Sequence, residues 1–352
     1  MVRARRPQVR VGRHVIGGSR CFVIAEAGVN HNGRLDLARR LVNAAAKCGA
    51  DAVKFQAFDP DQLVTAGADR APYQREAGTS SQREMLHRLT LPPRAWAQLA
   101  ALAASRGLEF LVTPFDHASL ETTVAAGIRA IKLGSGEVTN PSLLRAASRT
   151  GLPVMLSTGM SKVDEVDTAR RICRRAGCRH LVLFHCVSAY PAPLSDMNVR
   201  VIPAMADRYQ VPVGLSDHTQ GIAAAGAAVA LGASAIEKHL TLDTTMEGPD
   251  HASSLDPAGF KAMVDLVREV ESSLGDGRKR CMPSERANVR HVRRSCVAAA
   301  DIPRGTIIGR QHLVMKRPET GIPAAEVDAV IGCRATKLIR ADQALQWRDV
   351  TR

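Results

Sequence analysis

The sequence predicts an α/β protein in which an eight-stranded parallel (β/α)8 barrel is followed by a small, mostly β C-terminal domain. Three observations carry that prediction. Eight short apolar runs recur: FVIAEAG (22–28), AVKFQAF (52–58), EFLVTPF (109–115), AIKLGSG (130–136), PVMLSTG (153–159), LVLFHCV (181–187), PVGLSDH (212–218) and AIEKHLT (235–241). Ala- and Leu-rich stretches of helical period separate them, and such βαβα alternation implies parallel pairing. Each run ends in polar or reactive residues, as expected when the chain leaves every strand on the same side and converges on one mouth.

The closing positions are Glu26, Lys54, Thr113, Lys132, Ser135, Glu137, Ser157, His185, Ser216, Asp217, His218, Glu237, Lys238 and His239. A Ser, Thr or Asp there can simply cap the following helix, a role Lys does not fill. Helical period is clearest over 35–49, 93–107 and 221–233; several helices end in Gly, and Ser161 with Asp164 marks the start of another. Two connections are long. Residues 59–89 follow the second run, and 241–257, carrying Glu247, Asp250 and His251, follow the eighth; both are expected over the mouth, where barrels place substrate selection.

The barrel is assigned to 1–274, a Gly-, Pro- and Arg-rich linker to 275–294, and the C-terminal domain to 295–352, where short β-like runs alternate with turns. That tail is near the lower limit for independent stability, so it is expected to dock. No run of 18 apolar residues exists and the N-terminus has no continuous apolar segment, so a soluble, cytoplasmic protein without membrane partners is expected. The 8 cysteines form no CxxC and are expected to be reduced thiols, with Cys21 and Cys186 acting as small apolar core residues.

The net charge of +14 raises the possibility of nucleic acid, but aromatics make up only 3% of the chain and are not interleaved with the basic residues. An anionic small molecule at the mouth is the preferred reading. Lysine is scarce, 9 of 48 basic residues, yet Lys54, Lys132 and Lys238 all fall inside strands. A buried ammonium needs a partner or ligand to compensate it. Lys54 and Lys132, with Thr113, Ser135, Ser157 and Ser216, suit a phosphorylated and carboxylated ligand, and GSGE (134–137) offers backbone amides. His218 and His239 close neighbouring strands; two nitrogen ligands leave positions open for water and a substrate oxygen, which suits Mn²⁺ or Mg²⁺.

With these residues in view, the sequence resembles the sialic acid synthase family, phosphoenolpyruvate-dependent synthases of nonulosonic acids. The resemblance runs through IAEAGVNHNG, DAVKFQAF, TPFD, IKLGSGE, LSTGM, SAYPAP, GLSDHT, EKHLT and GPDHASSLDP. It continues through RRSCVAAADIPRGTII and VMKRPETGI, which resemble that family's C-terminal antifreeze-like (SAF) domain. It implies a homodimer with the SAF domain of one subunit swapped over the barrel mouth of the other. It also implies that Lys54, Thr113, Lys132, Ser135, Ser157 and Ser216 hold phosphoenolpyruvate, with Ser188 where some members have Asn, and that His218 and His239 hold the metal. Glu26, Tyr190, Asp250 and the partner subunit's Arg317 would contact the acceptor, and Glu319 stands where RPGTG would place Gly.

The implied reaction joins C3 of phosphoenolpyruvate to the aldehyde of an N-acyl mannosamine, with Glu137 moving protons as water adds at C2 and phosphate leaves. Glu26, His218 and His239 complete the expected catalytic set. N-acetylneuraminate synthase is the expected activity, and legionaminic or pseudaminic acid synthesis from a diacetamido-trideoxy hexose the alternative. A barrel making a 3-deoxy-octulosonate or heptulosonate is opposed by the SAF-like segment, and a silent sugar- or polyanion-binding protein by the intact cluster of charged residues.

Overall fold

The computed structural model describes residues 7–69 and 81–352, so part of the long second connection, 70–80, and the first six residues lie outside it. The chain divides into two compact units, 1–275 and 276–352.

The first unit opens with a hairpin, β1 (Val9–Val11) paired antiparallel with β2 (His14–Ile16). Its turn passes through Gly12 at φ +54°, a left-handed conformation that favours glycine. The eight expected runs then form β3 (Phe22–Gly28), β4 (Ala52–Ala57), β5 (Glu109–Pro114), β6 (Ile131–Leu133), β7 (Val154–Ser157), β8 (Leu181–Cys186), β9 (Val213–Asp217) and β10 (Ala235–His239). Each pairs parallel with the next, and β10 closes on β3.

Helices pack around the strands because each presents an apolar stripe at i, i+3, i+4 spacing. In α1 (Leu35–Lys47) the stripe is Leu37, Ala38, Leu41, Val42 and Ala45, all buried. The second connection contains α2 (Pro60–Leu63) and α3 (Gln82–Arg88), the latter started by a capping box in which the Ser81 hydroxyl accepts from the Glu84 amide. The remaining barrel helices are α4 (Arg94–Ser105), α5 (His117–Ala125), α6 (Pro141–Arg149), α7 (Val163–Arg175), α8 (Val201–Tyr209), α9 (Ala223–Ala230) and α10 (Pro257–Ser273). Asp256 caps α10, with Pro257 at its first position.

Two apolar layers result. The larger lies between strands and helices. The smaller lies inside the barrel, where Val9, Val11 and Ile16 of the hairpin pack with Phe22, Ile24, Leu111, Met155 and Phe184. The hairpin therefore plugs the barrel at the end remote from the strands' polar termini.

In the second unit, α11 (Arg286–Val292) forms within the stretch read as a linker, with none of its residues buried. Then β11 (Ser295–Ala298) pairs with β12 (Leu313–Lys316), a short α12 (Val327–Val330) follows, and β13 (Arg334–Ala335) pairs with β14 (Val350–Thr351). Its core gathers Cys296, Ile302, Ile308, Ile322, Val330 and Leu345. All eight cysteines are free thiols. Among the described residues no helix is long and apolar enough to cross a membrane.

Candidate active site

Successive strand residues face opposite sides, so alternate closing positions enter the barrel mouth while their neighbours face the helices. The inward set lines one cavity of about 450 Å³. Lys238 is outward: its Nζ lies 2.9 Å from Asp217 Oδ2 and 2.5 Å from the Thr219 carbonyl oxygen, so a carboxylate rather than a ligand compensates this buried ammonium. His185 also points away, with Nε2 on the Met197 carbonyl at 2.6 Å.

Two ammoniums form the cavity floor. Lys54 Nζ lies 2.8 Å from Glu26 Oε2 and donates to Thr113 Oγ1 at 2.8 Å; Lys132 Nζ donates to Ser157 Oγ at 2.6 Å. Between them stands Glu237, 3.6 Å from Lys132, 3.9 Å from Lys54, and accepting from Ser216 Oγ at 2.9 Å. Burial alone would raise this carboxyl, but the Lys132 and Lys54 ammoniums outweigh it and hold Glu237 down at about 2. Glu237 and Glu26 thus offset the two buried ammoniums, and Glu237 Oε2 is left without a hydrogen-bond partner.

Beside this floor, Ser135 Oγ accepts from the Gly159 amide at 3.0 Å. A Cβ at Gly159 would lie 2.3 Å from Ser188 Oγ and 2.9 Å from Ser135 Oγ, so only glycine lets both hydroxyls line this corner. Gly136 lines it as well.

The imidazoles of His218 and His239 lie 5.4 Å apart between centroids, with the Tyr190 ring 4.1 Å from the first and 5.9 Å from the second. His218 Nδ1 donates to the Val187 carbonyl oxygen at 2.9 Å, which leaves the lone pair on Nε2. His239 Nδ1 is buried without a hydrogen-bond partner, and burial followed by His218 and Lys54 lowers that imidazole well below its ordinary value. Each ring has a nitrogen available to a cation, so the pair fits a divalent ion; at His218 burial is outweighed by the Cys186 thiol and the Val187 carbonyl, which raise that imidazole above its ordinary value, so a cation would displace a proton there. Among the described residues no group of three or more His, Cys, Asp and Glu side chains is arranged to hold a metal, so further ligands would have to be water or substrate. Asp250 reaches to 3.8 Å from His239 Nδ1; burial, and then the nearby Glu26, push its carboxyl up to about 6.

One rim of the cavity is apolar. Val29, Phe58, Met85, Leu86, Leu89 and Phe115 line it, and α3 supplies its centre. All the barrel residues expected to bind substrate or metal line this cavity; Glu137 does not. It sits in the turn Ser135–Thr139, buried, with Oε2 accepting from Asn140 Nδ2 at 2.7 Å. Arg317 is exposed in the second unit. There Ser295 Oγ donates to the Pro318 carbonyl and accepts from the amides of Thr320 and Gly321, fixing the RPETG turn.

The NeuB family model matches residues 41–279, and the SAF domain model matches 293–351. The chain belongs to the NeuB family. It is 41% identical to the N,N'-diacetyllegionaminic acid synthase of Legionella pneumophila over 94% of each chain. It is 40% identical to the Campylobacter jejuni enzyme of the same name, over 92% of this chain and 98% of the other. The crystal structure of N-acetylneuraminic acid synthetase from Leptospira borgpetersenii superposes with a TM-score of 0.73 at 32% identity, covering 81% of this chain and 95% of that one. This NeuB-family chain is accordingly an enzyme of the nonulosonic acid synthase class, acting by phosphoenolpyruvate-dependent condensation with a sugar.

Sequence reasoning put Glu237 among the strand-closing positions at the mouth without giving it a role, and did not place Gln56 or Cys186 in the site. Glu237 was visible as the residue two before His239, hence on the same strand face. Gln56 stands two after Lys54 and donates to Glu26 Oε1 at 2.9 Å. Cys186, with Sγ 3.7 Å from His218 Nδ1, carried no signal beyond an apolar run.

Proposed function

We propose that this enzyme condenses phosphoenolpyruvate with a diacetamido-trideoxy hexose to give a legionaminic-type nonulosonic acid and phosphate. The observation that carries this acceptor is the apolar rim formed by Val29, Phe58, Phe115, the α3 residues Met85 and Leu86, and Leu89 just after α3. A 6-deoxy sugar presents a methyl group and a second acetamido methyl where N-acetylmannosamine presents hydroxyls. An apolar wall favours the former. The identities of 41% and 40% to two N,N'-diacetyllegionaminic acid synthases, against 33% to the human N-acetylneuraminate-9-phosphate synthase, support the same choice over the N-acetylneuraminate synthase expected from motifs alone.

In this reading Lys54 and Lys132 take the carboxylate and phosphate of phosphoenolpyruvate, and Thr113, Ser135, Ser157, Ser188 and Ser216 complete its hydrogen bonds. Glu237 offsets the repulsion between the two ammoniums until the anion arrives. Glu26, Tyr190 and Asp250 orient the acceptor so that C3 of phosphoenolpyruvate reaches its aldehyde carbon. A divalent cation on His218 and His239, Mn²⁺ or Mg²⁺, supplies Lewis-acid polarisation of the aldehyde when bound.

The new bond uses the enol π electrons, water adds at C2, and the C2–O bond to phosphate breaks. Glu137 is assigned the proton transfers: burial raises its carboxyl despite the Asn140 hydrogen bond, whereas Glu237 is too acidic to serve as a base. Its turn also carries Ser135 and Gly136, which line the cavity.

We also propose a homodimer in which the SAF domain of one subunit covers the mouth of the other and supplies Arg317 to the acceptor. Eight free thiols suit a reducing compartment, and the cytoplasm is the proposed setting.

Purified enzyme with phosphoenolpyruvate, Mn²⁺ and a panel of hexosamines, read by phosphate release, tests the acceptor. The diacetamido-trideoxy hexose is expected to exceed N-acetylmannosamine in kcat/KM by roughly 10- to 100-fold, the discrimination apolar pockets reach. Equal or better turnover of N-acetylmannosamine contradicts it.

A further inference from the structure

The loop after β3 and the loop after β10 are joined by a mostly buried set of side chains that lines no part of the cavity and reaches the backbone of Asp250. β10 and β3 pair at the barrel seam, with His239 opposite Glu26, so the loops leaving them are neighbours. Asn30 Nδ2 donates to the Leu240 carbonyl at 3.0 Å and to Ser254 Oγ at 2.9 Å; Ser254 Oγ in turn donates to the Asp250 carbonyl at 2.6 Å. The chain of donors thus ends on the backbone of Asp250 itself.

A second arm holds the same loop further out. Asn32 Nδ2 donates to the Glu247 carbonyl at 2.9 Å, and Asn32 Oδ1 accepts from His251 Nε2 at 3.2 Å. Thr241 Oγ1 lies 2.6 Å from His251 Nδ1 and 3.0 Å from the Asp243 carbonyl oxygen, so its one hydroxyl hydrogen has two acceptors within reach when the ring hydrogen is on Nε2. His251 and Thr241 are fully buried. Gly248, at φ +154°, makes this approach possible: a Cβ there would lie 2.6 Å from the His251 ring and 2.9 Å from Asn32 Oδ1.

We propose that Asn30, Asn32, Thr241, His251 and Ser254 form a latch of positioning residues that sets Asp250 for the acceptor and leaves the phosphoenolpyruvate half of the site untouched. The latch rests on the reading of Asp250 as an acceptor contact. Its spatial logic is that every arm terminates on residues 240–254, whereas Lys54, Lys132, Ser157 and Ser216 stand on β4, β6, β7 and β9.

The test uses the full-length enzyme and the acceptor turned over fastest in the panel above, with the KM for each substrate measured separately. Ser254→Ala is expected to raise acceptor KM about fivefold to tenfold, the worth of one neutral hydrogen bond, with the KM for phosphoenolpyruvate within about twofold of wild type. Ser254→Thr, which restores the hydroxyl, should recover most of the loss. In an Asp250→Ala background the Ser254→Ala effect should vanish, because coupled residues are not additive. Asn32→Ala, at a half-buried position, gives the same readout if Ser254→Ala does not fold.

An unchanged acceptor KM in Asp250→Ala overturns the acceptor reading and the latch with it. A raised KM in Asp250→Ala beside unchanged values in Ser254→Ala and Asn32→Ala overturns the latch alone. Equal losses for both substrates would also overturn it, as general loosening of the barrel.

Discussion

Lys132 is an ammonium almost wholly removed from water, and burial pulls its pKa below the ordinary lysine value despite the opposing Glu237. Such a charge is maintained for a ligand, since an apolar side chain of similar length would be easier to bury. Lys132→Met is therefore expected to raise the KM for phosphoenolpyruvate by at least about tenfold, together with a fall in Tm because Glu237 is left buried beside one ammonium instead of two. Steady-state kinetics with a thermal melt check both halves, and a large fall in Tm with unaltered KM would mean the lysine is structural.

His31 illustrates a different effect. It is buried and, by burial and then the neighbouring His251, has its pKa lowered to about 4. Between about pH 6.5 and 4 the unfolded chain binds a proton at His31 that the folded chain refuses, so stability falls as pH drops through that window. The expected loss between pH 7 and 5 is about 2 kcal/mol, and His31→Gln should flatten that part of a pH-dependent urea unfolding series.

Residue identity was legible where chemistry is rare. Lysines inside apolar runs and paired histidines at neighbouring strand ends mark the cavity by themselves. Direction was harder: Lys238 looks like Lys54 in sequence, and only strand pairing shows that it faces Asp217 instead of the mouth. Glu237 was legible as a strand-closing residue, but its place between the two ammoniums depends on how the strands pair.

At the level of elements, every barrel strand was readable, because each buried parallel strand is a compact apolar run ending in a turn. The hairpin of β1 and β2 was not. Three residues per strand give too little alternation to stand out, although Val9, Val11 and Ile16 bury almost completely. Its plugging role predicts that Ile16→Ala costs about 2 to 4 kcal/mol in urea unfolding, with both substrate KM values unchanged, because the barrel interior separates it from the mouth. A change in substrate KM comparable to that in stability would contradict the separation.

The helix α3 carried a signal that loop length masked: Ser81 followed by Glu84 is a capping box, and Met85 and Leu86, with Leu89 just after the helix, belong to the rim assigned to the acceptor. Similarly α11 arises in a stretch whose Gly, Pro and Arg content reads as linker, since an exposed helix of seven residues needs no apolar stripe.

For the whole molecule, the sequence distinguished a large catalytic barrel from a small β tail, and the two compact units divide after residue 275. The proposed homodimer rests on the family resemblance and on a tail near the lower limit for independent stability. The swapped arrangement predicts twice the monomer mass by light scattering. It further predicts that Arg317→Ala raises acceptor KM by about tenfold or more without altering the KM for phosphoenolpyruvate, as expected for loss of a charged hydrogen bond. A monomer, or unaltered acceptor kinetics in Arg317→Ala, would refute it.

The central claim is that one cavity unites an anion floor of Lys54 and Lys132, the His218 and His239 pair, and an apolar rim that receives a deoxy sugar. Mass spectrometry of the product formed from phosphoenolpyruvate and competing hexosamines in one mixture, with Mn²⁺ present, tests it most directly. The account predicts a diacetylated nonulosonic acid as the main product, with one phosphate released per molecule. A product mixture dominated by N-acetylneuraminate, or phosphate release without any new carbon–carbon bond, would contradict it.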